Sequence, residues 1–220
     1  METAYAVIAD IVGSRKLPDR ASAQAAILEA LAQASEGLPL VQRPWATVGD
    51  EFQALAATLD DALTLTLRTQ LLLPDGVELR FGIGAGQART LAVDDGAAEP
   101  GVPSIQDGSA WWAAREALET LGSPAARQRG ARTCYQVAEN APDSVPAQSG
   151  VNTMLSLRDH VLGRMKARER RLTAGLAMGQ TQVELARAEG IGQSAVSQSL
   201  HRCGAIALLQ PLTPSPEETR

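Results

Sequence analysis

Residues 4–12, AYAVIADIV, constrain the fold of this chain more than any other stretch. The run is β-branched and apolar apart from Asp10, the pattern of a central strand buried on both faces. Such a strand needs neighbours on either side and helices above or below it, and the following residues supply both. Pro18 and Asp19 open a helix in which Ile27, Leu28, Leu31 and Ala34 recur at helical spacing. Trp45–Val48 and Phe52–Ala56 are short runs separated by Gly49-Asp50-Glu51, a hairpin signal. Asp60 and Asp61 favour the positive end of a second helix, which continues through Leu63, Leu67 and Leu71. Pro74-Asp75-Gly76 marks a turn, and Val77–Ile83 a further strand. The order β-α-β-β-α-β predicts an α+β fold, a ferredoxin-like palm. In that topology the first strand lies antiparallel beside the hairpin, and Asp10 and Asp50 converge from neighbouring strands.

Residues 87–106 lack helical period and read as a long loop. Asp107 is expected to cap a helix through Leu121 that carries Trp111, Trp112 and Arg115, and residues 132–137 read as a last strand. The adjacent tryptophans are expected to divide between core and interface, with base stacking as the alternative. A Pro-punctuated linker over 139–150 precedes a helix from Thr153 to Leu176. The expected organisation is a palm over 1–138, the linker 139–150, a helical domain over 151–210 and a flexible tail over 211–220.

Charge follows the same division. Residues 1–150 hold eleven Lys/Arg against nineteen Asp/Glu, whereas residues 151–220 hold nine against six, within a net charge of −5. An acidic body with a basic C-terminal part suits a chain whose second half meets nucleic acid. No apolar stretch reaches the length of a membrane span, and the N-terminus has no basic-then-apolar signal pattern, so a cytoplasmic location and no membrane partner are expected. Cys134, Cys203, His160 and His201 match no metal spacing.

The chemistry is concentrated at two acidic motifs, Asp10-Ile11-Val12-Gly13-Ser14-Arg15 and Gly49-Asp50-Glu51. Mg²⁺ prefers hard oxygen ligands and usually takes one or two protein carboxylates together with phosphate oxygens. Asp10, the Ile11 carbonyl and Asp50 are the candidate ligands for Mg²⁺ or Mn²⁺. Val12, Gly13 and Ser14 offer backbone N–H groups to phosphate, with Arg15 as a charge partner and Gly49 and Glu51 nearby. A metal held this way activates a hydroxyl and stabilises a leaving pyrophosphate. Gly82-Ile83-Gly84-Ala85-Gly86 reads either as a phosphate loop or as a site of close packing.

Asp10-Ile11-Val12-Gly13, Gly49-Asp50-Glu51-Phe52 and Arg80-Phe81-Gly82-Ile83-Gly84-Ala85-Gly86 resemble three landmarks of class III nucleotidyl cyclases, over residues 4–121. The Gly-Asp-Glu-Phe hairpin also resembles that of diguanylate cyclases. The resemblance implies a metal site at Asp10 and Asp50 and a catalytic Arg at Arg115. It departs in two places. The purine-selecting Lys is replaced within Trp45-Ala46-Thr47-Val48, and Trp111 stands where a transition-state-stabilising Asn belongs. Losing such a stabiliser lowers rates by about 10²–10³.

Thr181-Gln182-Val183-Glu184 is a capping box that starts a helix, and Leu185 and Ala186 face inward. Gly190 supplies a left-handed turn, Ile191 plugs the core, and residues 193–202 form a second helix with Val196 and Leu200 inward. Gln193, Ser194, Ser197, Gln198 and Arg202 stay outward, suited to base edges and phosphates. The pattern resembles the helix-turn-helix of bacterial regulators, including sigma-factor region 4, and the whole chain resembles the SatD family. The expected function is a homodimeric bacterial regulator that couples a palm binding Mg²⁺ and a nucleotide (NTP or cyclic nucleotide) to a DNA-binding helix-turn-helix. The alternative is an active nucleotidyl cyclase or nucleotidyltransferase.

Overall fold

The computed structural model describes residues 3–14, 17–47, 50–90 and 106–209. Two compact units divide the chain, one up to Asp159 and one from His160 onward. In chain order the first unit contains β1 (Ala4–Ile11), α1 (Arg20–Ala34), β2 (Leu40–Ala46), β3 (Glu51–Ala56), α2 (Leu59–Leu72) and β4 (Leu79–Gly86). A short ribbon of β5 (Arg89–Thr90) and β6 (Gln106–Asp107), then α3 (Ser109–Leu121), α4 (Pro124–Gln128) and β7 (Thr133–Val137), complete the sheet layer. α5 (Gln148–Arg164) spans the division. α6 (Ala167–Ala177), α7 (Gln182–Glu189), α8 (Gln193–Arg202) and α9 (Ala205–Leu209) belong to the second unit.

The main sheet is mixed and five-stranded, in the order β2-β3-β1-β4-β7. β1 is central, with β3 and β4 antiparallel on its two sides, while β7 runs parallel to β4. Strand alternation sends Tyr5, Val7, Ala9 and Ile11 into one core with Ile27 and Leu31 of α1 and Leu65 of α2. Ala6 and Ile8 face the opposite side and pack with Ala114 and Leu118 of α3. This two-sided burial is what the continuous apolar run of β1 requires. β2 is an edge strand, which accommodates Pro44, and its register against β3 shifts twice.

Local chemistry sets the helix starts. The Asp19 carboxylate caps α1 by accepting from the Ser22 N–H at 3.0 Å, and the Thr58 hydroxyl caps α2 by accepting from Asp61 at 3.1 Å. Asp107, expected as the cap of α3, instead lies in β6 and pairs with Arg89 at 3.2 Å. Gly108, at φ +141, occupies the cap position with no side-chain bond, and the Ser109 hydroxyl accepts from the Gln87 N–H at 3.0 Å. The expected loop over 87–106 therefore has paired ends, and residues 91–105 lie outside the described residues.

α3 rests directly on β4. An ideal Cβ at Gly84 would lie 2.1 Å from the Ala110 carbonyl oxygen and 2.2 Å from the Ala114 nitrogen. At Gly82 it would lie 2.1 Å from the Ala114 oxygen, and at Gly86 2.7 Å from the Ala110 nitrogen. The alternation Gly82, Gly84, Gly86 is a groove that seats Ala110 and Ala114, which settles the two readings of this motif in favour of close packing.

Among the described residues the outer edge of β7 meets no further strand, and it is met by side chains of α5. Gln148 accepts from the Val137 N–H at 3.2 Å, and Asn152 accepts from the Tyr135 N–H and donates to the Tyr135 oxygen, both at 2.8 Å. Asp159 accepts from the Arg132 and Thr133 N–H groups, each at 2.7 Å. The side chains at 148, 152 and 159 thus replace the missing strand. Arg158 beside them is fully enclosed and donates to the Leu63 oxygen at 3.1 Å and to the Thr66 and Thr133 hydroxyls at 3.2 and 2.7 Å. Burial lowers its guanidinium to about 10 against the opposing pull of Asp159, and burial likewise raises the Asp159 carboxyl.

One helix was expected from Thr153 to Leu176, but the chain forms two. α5 begins at Gln148 and ends at Arg164, and Lys166, at φ −73 and ψ 160, breaks the helical path. The Glu169 carboxylate accepts from the Lys166 N–H at 2.9 Å and restarts the chain as α6. In the second unit Leu172, Leu185, Val196, Leu200 and Ala205 form a core of their own. No helix among the described residues is long and apolar enough to cross a membrane.

Candidate functional site

The register of the sheet determines which side chains meet at the end of β1. Asp10 sits between two cross-strand partners, Glu51 of β3 on one side and Arg80 of β4 on the other. Directly opposed residues on one face stand about 5 Å apart at their Cβ atoms. These three alternate onto the face covered by α3, and Arg115 of α3 reaches the same row. Arg80 pairs with Asp10 through two bonds, one from Nε to Oδ1 at 2.9 Å and one from Nη2 to Oδ2. Arg115 pairs with Glu51 in the same fork, Nη1 to Oε2 and Nη2 to Oε1, the latter at 2.8 Å. Gln53 donates to Glu51 at 2.9 Å.

The electrostatics follow this pairing. Burial raises the Glu51 carboxyl, but the bonds from Arg115 and Gln53 together outweigh it and leave Glu51 below the ordinary carboxylate range. Arg115 is held above its ordinary value chiefly by its bond to Glu51, with a weaker contribution from Asp10. All four charged side chains are partly accessible to solvent. Asp50, expected opposite Asp10, stands one residue before β3, and its charge acts on Glu51. The carboxylate in register with Asp10 is that of Glu51.

The turn after β1 is partly engaged. The Val12 N–H donates to the Glu78 oxygen at 2.9 Å. Gly13 takes a left-handed φ of +66, which any Cβ would disfavour, and the Ser14 oxygen accepts from Leu17. Ile11 is buried at the end of the strand. Arg15, Val48 and Gly49 lie outside the described residues. Among the described residues no group of three or more His, Cys, Asp or Glu is placed to hold a metal ion. The two carboxylates of the row, Asp10 and Glu51, are each paired with an arginine.

Trp111 is buried against β1 and β3 with its indole nitrogen enclosed and unpartnered among the described residues. Trp112 is 66% exposed. It walls a cavity of about 490 Å³ with Gln136, Glu139 and Asn140. The two tryptophans divide between core and surface.

In the second unit the Thr181 hydroxyl accepts from the Glu184 N–H at 3.2 Å and Glu184 accepts from the Thr181 N–H at 2.7 Å, closing the capping box of α7. Gly190 ends α7 at φ +66, and Ile191 packs against the core. On α8, Val196 and Leu200 are fully buried, while Gln193, Ser194 and Gln198 are exposed and Ser197 is half-buried. Arg202 is exposed and pairs with the buried Glu169 at 3.4 Å. These five side chains share a helix whose opposite side is anchored in the core.

A family model describing the SatD family matches residues 4–208, nearly the whole chain. The chain belongs to the SatD family. No curated protein matches it. Within this SatD-family chain the match covers both compact units.

Sequence reasoning missed Arg80 as a partner of Asp10 and did not identify Glu51 as the residue in register with it. One signal was available for Arg80. It is the lone charge in a strand otherwise composed of apolar residues and glycine, at the alternating position that shares a face with Asp10.

Proposed function

We propose that this SatD-family chain binds a phosphate-bearing nucleotide with Mg²⁺ at the end of β1 and DNA through α8, as a regulator in which the first unit is a cyclase-like palm and the second a helix-turn-helix. The observation that carries the reading is the row Glu51–Asp10–Arg80 with Arg115 over it, which places two carboxylates and two guanidinium groups at one accessible sheet end. Carboxylates suit the cation and forked guanidinium groups suit phosphate. The strand order around β1, in which the β2–β3 hairpin and β4 lie antiparallel about it, supports the palm reading. Asp10 and Glu51, in register on neighbouring strands, are the proposed metal-ligating carboxylates, with Gly13 and Ser14 at the phosphate.

The polar face of α8 supports the DNA reading. Short polar side chains at Gln193, Ser194, Ser197 and Gln198 suit base edges, and Arg202 suits phosphate. A half-site reader gains specificity by dimerising, so a homodimer belongs to the proposal. Turnover is disfavoured, because Trp111 is enclosed in the core beneath α3 where the cyclase resemblance needs an Asn.

The deciding experiment is titration calorimetry of the full chain with each NTP in Mg²⁺, alongside Asp10→Ala. Binding by the wild type that is lost in the variant supports the reading, and no binding of any NTP removes it. Mass analysis of the same mixtures detects any product, and rapid conversion by the wild type would establish the enzyme alternative. Mobility shifts on the chain's own promoter region at several salt concentrations test the second unit. A salt-independent result, or none, removes the DNA reading.

A further inference from the structure

Resting on the nucleotide-binding reading above, we propose that the row at the end of β1 takes a divalent cation and a phosphate group only together, by an exchange of partners. In the ligand-free protein each carboxylate is closed by a guanidinium, Asp10 by Arg80 and Glu51 by Arg115. The quartet is neutral as it stands. The cation takes the carboxylates of Asp10 and Glu51, and the guanidinium groups of Arg80 and Arg115 so released take the phosphate oxygens.

Each half of the exchange is unfavourable alone. A bare cation entering the row separates both forks and leaves two guanidinium groups unpaired beside a divalent positive charge. A bare phosphate separates the same forks and faces two carboxylates that have lost their partners. The groups are only partly exposed, with 22% and 23% of the Arg80 and Asp10 side chains accessible and 45% and 18% of those of Arg115 and Glu51. Water therefore compensates incompletely, and breaking such a partly buried pair on one side is unfavourable, by less than for a fully buried one. With both ligands present every charge regains an opposite partner.

The geometry permits the movement. Asp10 and Glu51 are fixed by β1 and β3, the innermost strands on that side of the sheet, so the carboxylates remain a pre-set pair. Both arginines are long side chains entering from other elements, β4 and α3, and each can turn its fork without moving a strand. The Arg80 guanidinium lies beside the end of α3, where an ideal Cβ at Gly122 would stand 3.7 Å from its Nη1, in ordinary contact and without a clash. Arg80 and Arg115 thereby acquire a specific role, recognition of phosphate conditional on metal, and free Mg²⁺ does not occupy the site.

The test uses the full chain and calorimetry, in which Mn²⁺, metal-free tripolyphosphate and the preformed Mn²⁺–tripolyphosphate complex are each titrated into the protein. Wild-type protein should bind Mn²⁺ alone, or metal-free tripolyphosphate alone, at least tenfold more weakly than the two together. Arg80→Met should reverse part of this, tightening Mn²⁺ alone at least tenfold while weakening the combined complex. Arg115→Met should act in the same direction and serves if Arg80→Met does not fold by circular dichroism. If wild type takes Mn²⁺ equally well with and without tripolyphosphate and neither variant changes this, the exchange is wrong while the metal site stands. If no arm binds Mn²⁺, in wild type or variants, the nucleotide-binding reading fails and the exchange fails with it.

Discussion

Replacing Gly84 by alanine should dislodge α3 and, through it, Arg115. A Cβ at this position would stand 2.1 and 2.2 Å from two backbone atoms of α3, the Ala110 oxygen and the Ala114 nitrogen. Ordinary contacts between such atoms lie near 3.5 Å, so the helix must retreat by roughly 1.3 Å. Neither obstacle is a side-chain end that can swing aside, and the strand beneath is held by β1 on one side and β7 on the other. Overpacking of a core typically costs about 1–3 kcal/mol, and a clash with two backbone atoms of the facing helix belongs at or above the top of that range. The displaced helix also carries Arg115 away from Glu51, so the fork between them should open. Urea denaturation followed by far-UV circular dichroism would measure the loss, expected as about 3 kcal/mol or more in Gly84→Ala. The seam argument is refuted if the variant unfolds within 0.5 kcal/mol of wild type.

Gly163 gives the opposite expectation, because an added Cβ there meets nothing within 4 Å in the last turn of α5. Gly163→Ala should stabilise by about 0.5–1 kcal/mol in the same denaturation, since alanine restricts the unfolded chain and favours the helix. Asp159→Ala removes the acceptor of two backbone N–H groups and leaves the enclosed Arg158 without its counter-charge. A loss of about 3–5 kcal/mol is expected, and less than 1 kcal/mol would show that the pair is not the clamp described. Glu51 is held below its ordinary value of 4.5, so its contribution to stability is present above that pH and disappears as the pH falls through the lower folded value. Glu51→Gln should therefore flatten the stability curve below pH 4.5, and an unchanged acid limb would contradict the Arg115 pairing.

How far the sequence was readable depended on how local the determining interaction is. β1, the caps at Asp19 and Thr181, and the left-handed Gly190 rest on contacts within a few residues, and each has its signature in the chain. The core sides of α7 and α8 were readable for the same reason, as Leu185, Val196 and Leu200 follow helical spacing. What escaped rests on register between distant segments. Asp50 and Glu51 are adjacent in sequence, and only the offset of β3 against β1 decides which one faces Asp10. Gly82 to Gly86 reads equally as a phosphate loop or as a helix seat until α3 is placed on it. The interruption at Lys166 was hidden by an uninterrupted helical composition, because a carboxylate three residues later creates it. The partner of Arg80, Asp10, lies seventy residues away in the chain, so the role of the arginine became visible only when β4 was laid beside β1.

The α5 side chains along β7 bear on how this protein can go wrong. An open strand edge is a template onto which another molecule's strand can add, and such addition propagates into fibrils. At the β2 end, Pro44 and two register shifts make the template a poor one. At the β7 end the protection is detachable, since it consists of Gln148, Asn152 and Asp159 on a helix rather than of any property of the strand. Fraying of α5 would unmask the N–H groups of Thr133, Tyr135 and Val137 while the rest of the sheet is still folded. The propensity of this chain to polymerise should therefore track the stability of one helix, and a fragment cut within residues 148–159 would be the form most prone to it.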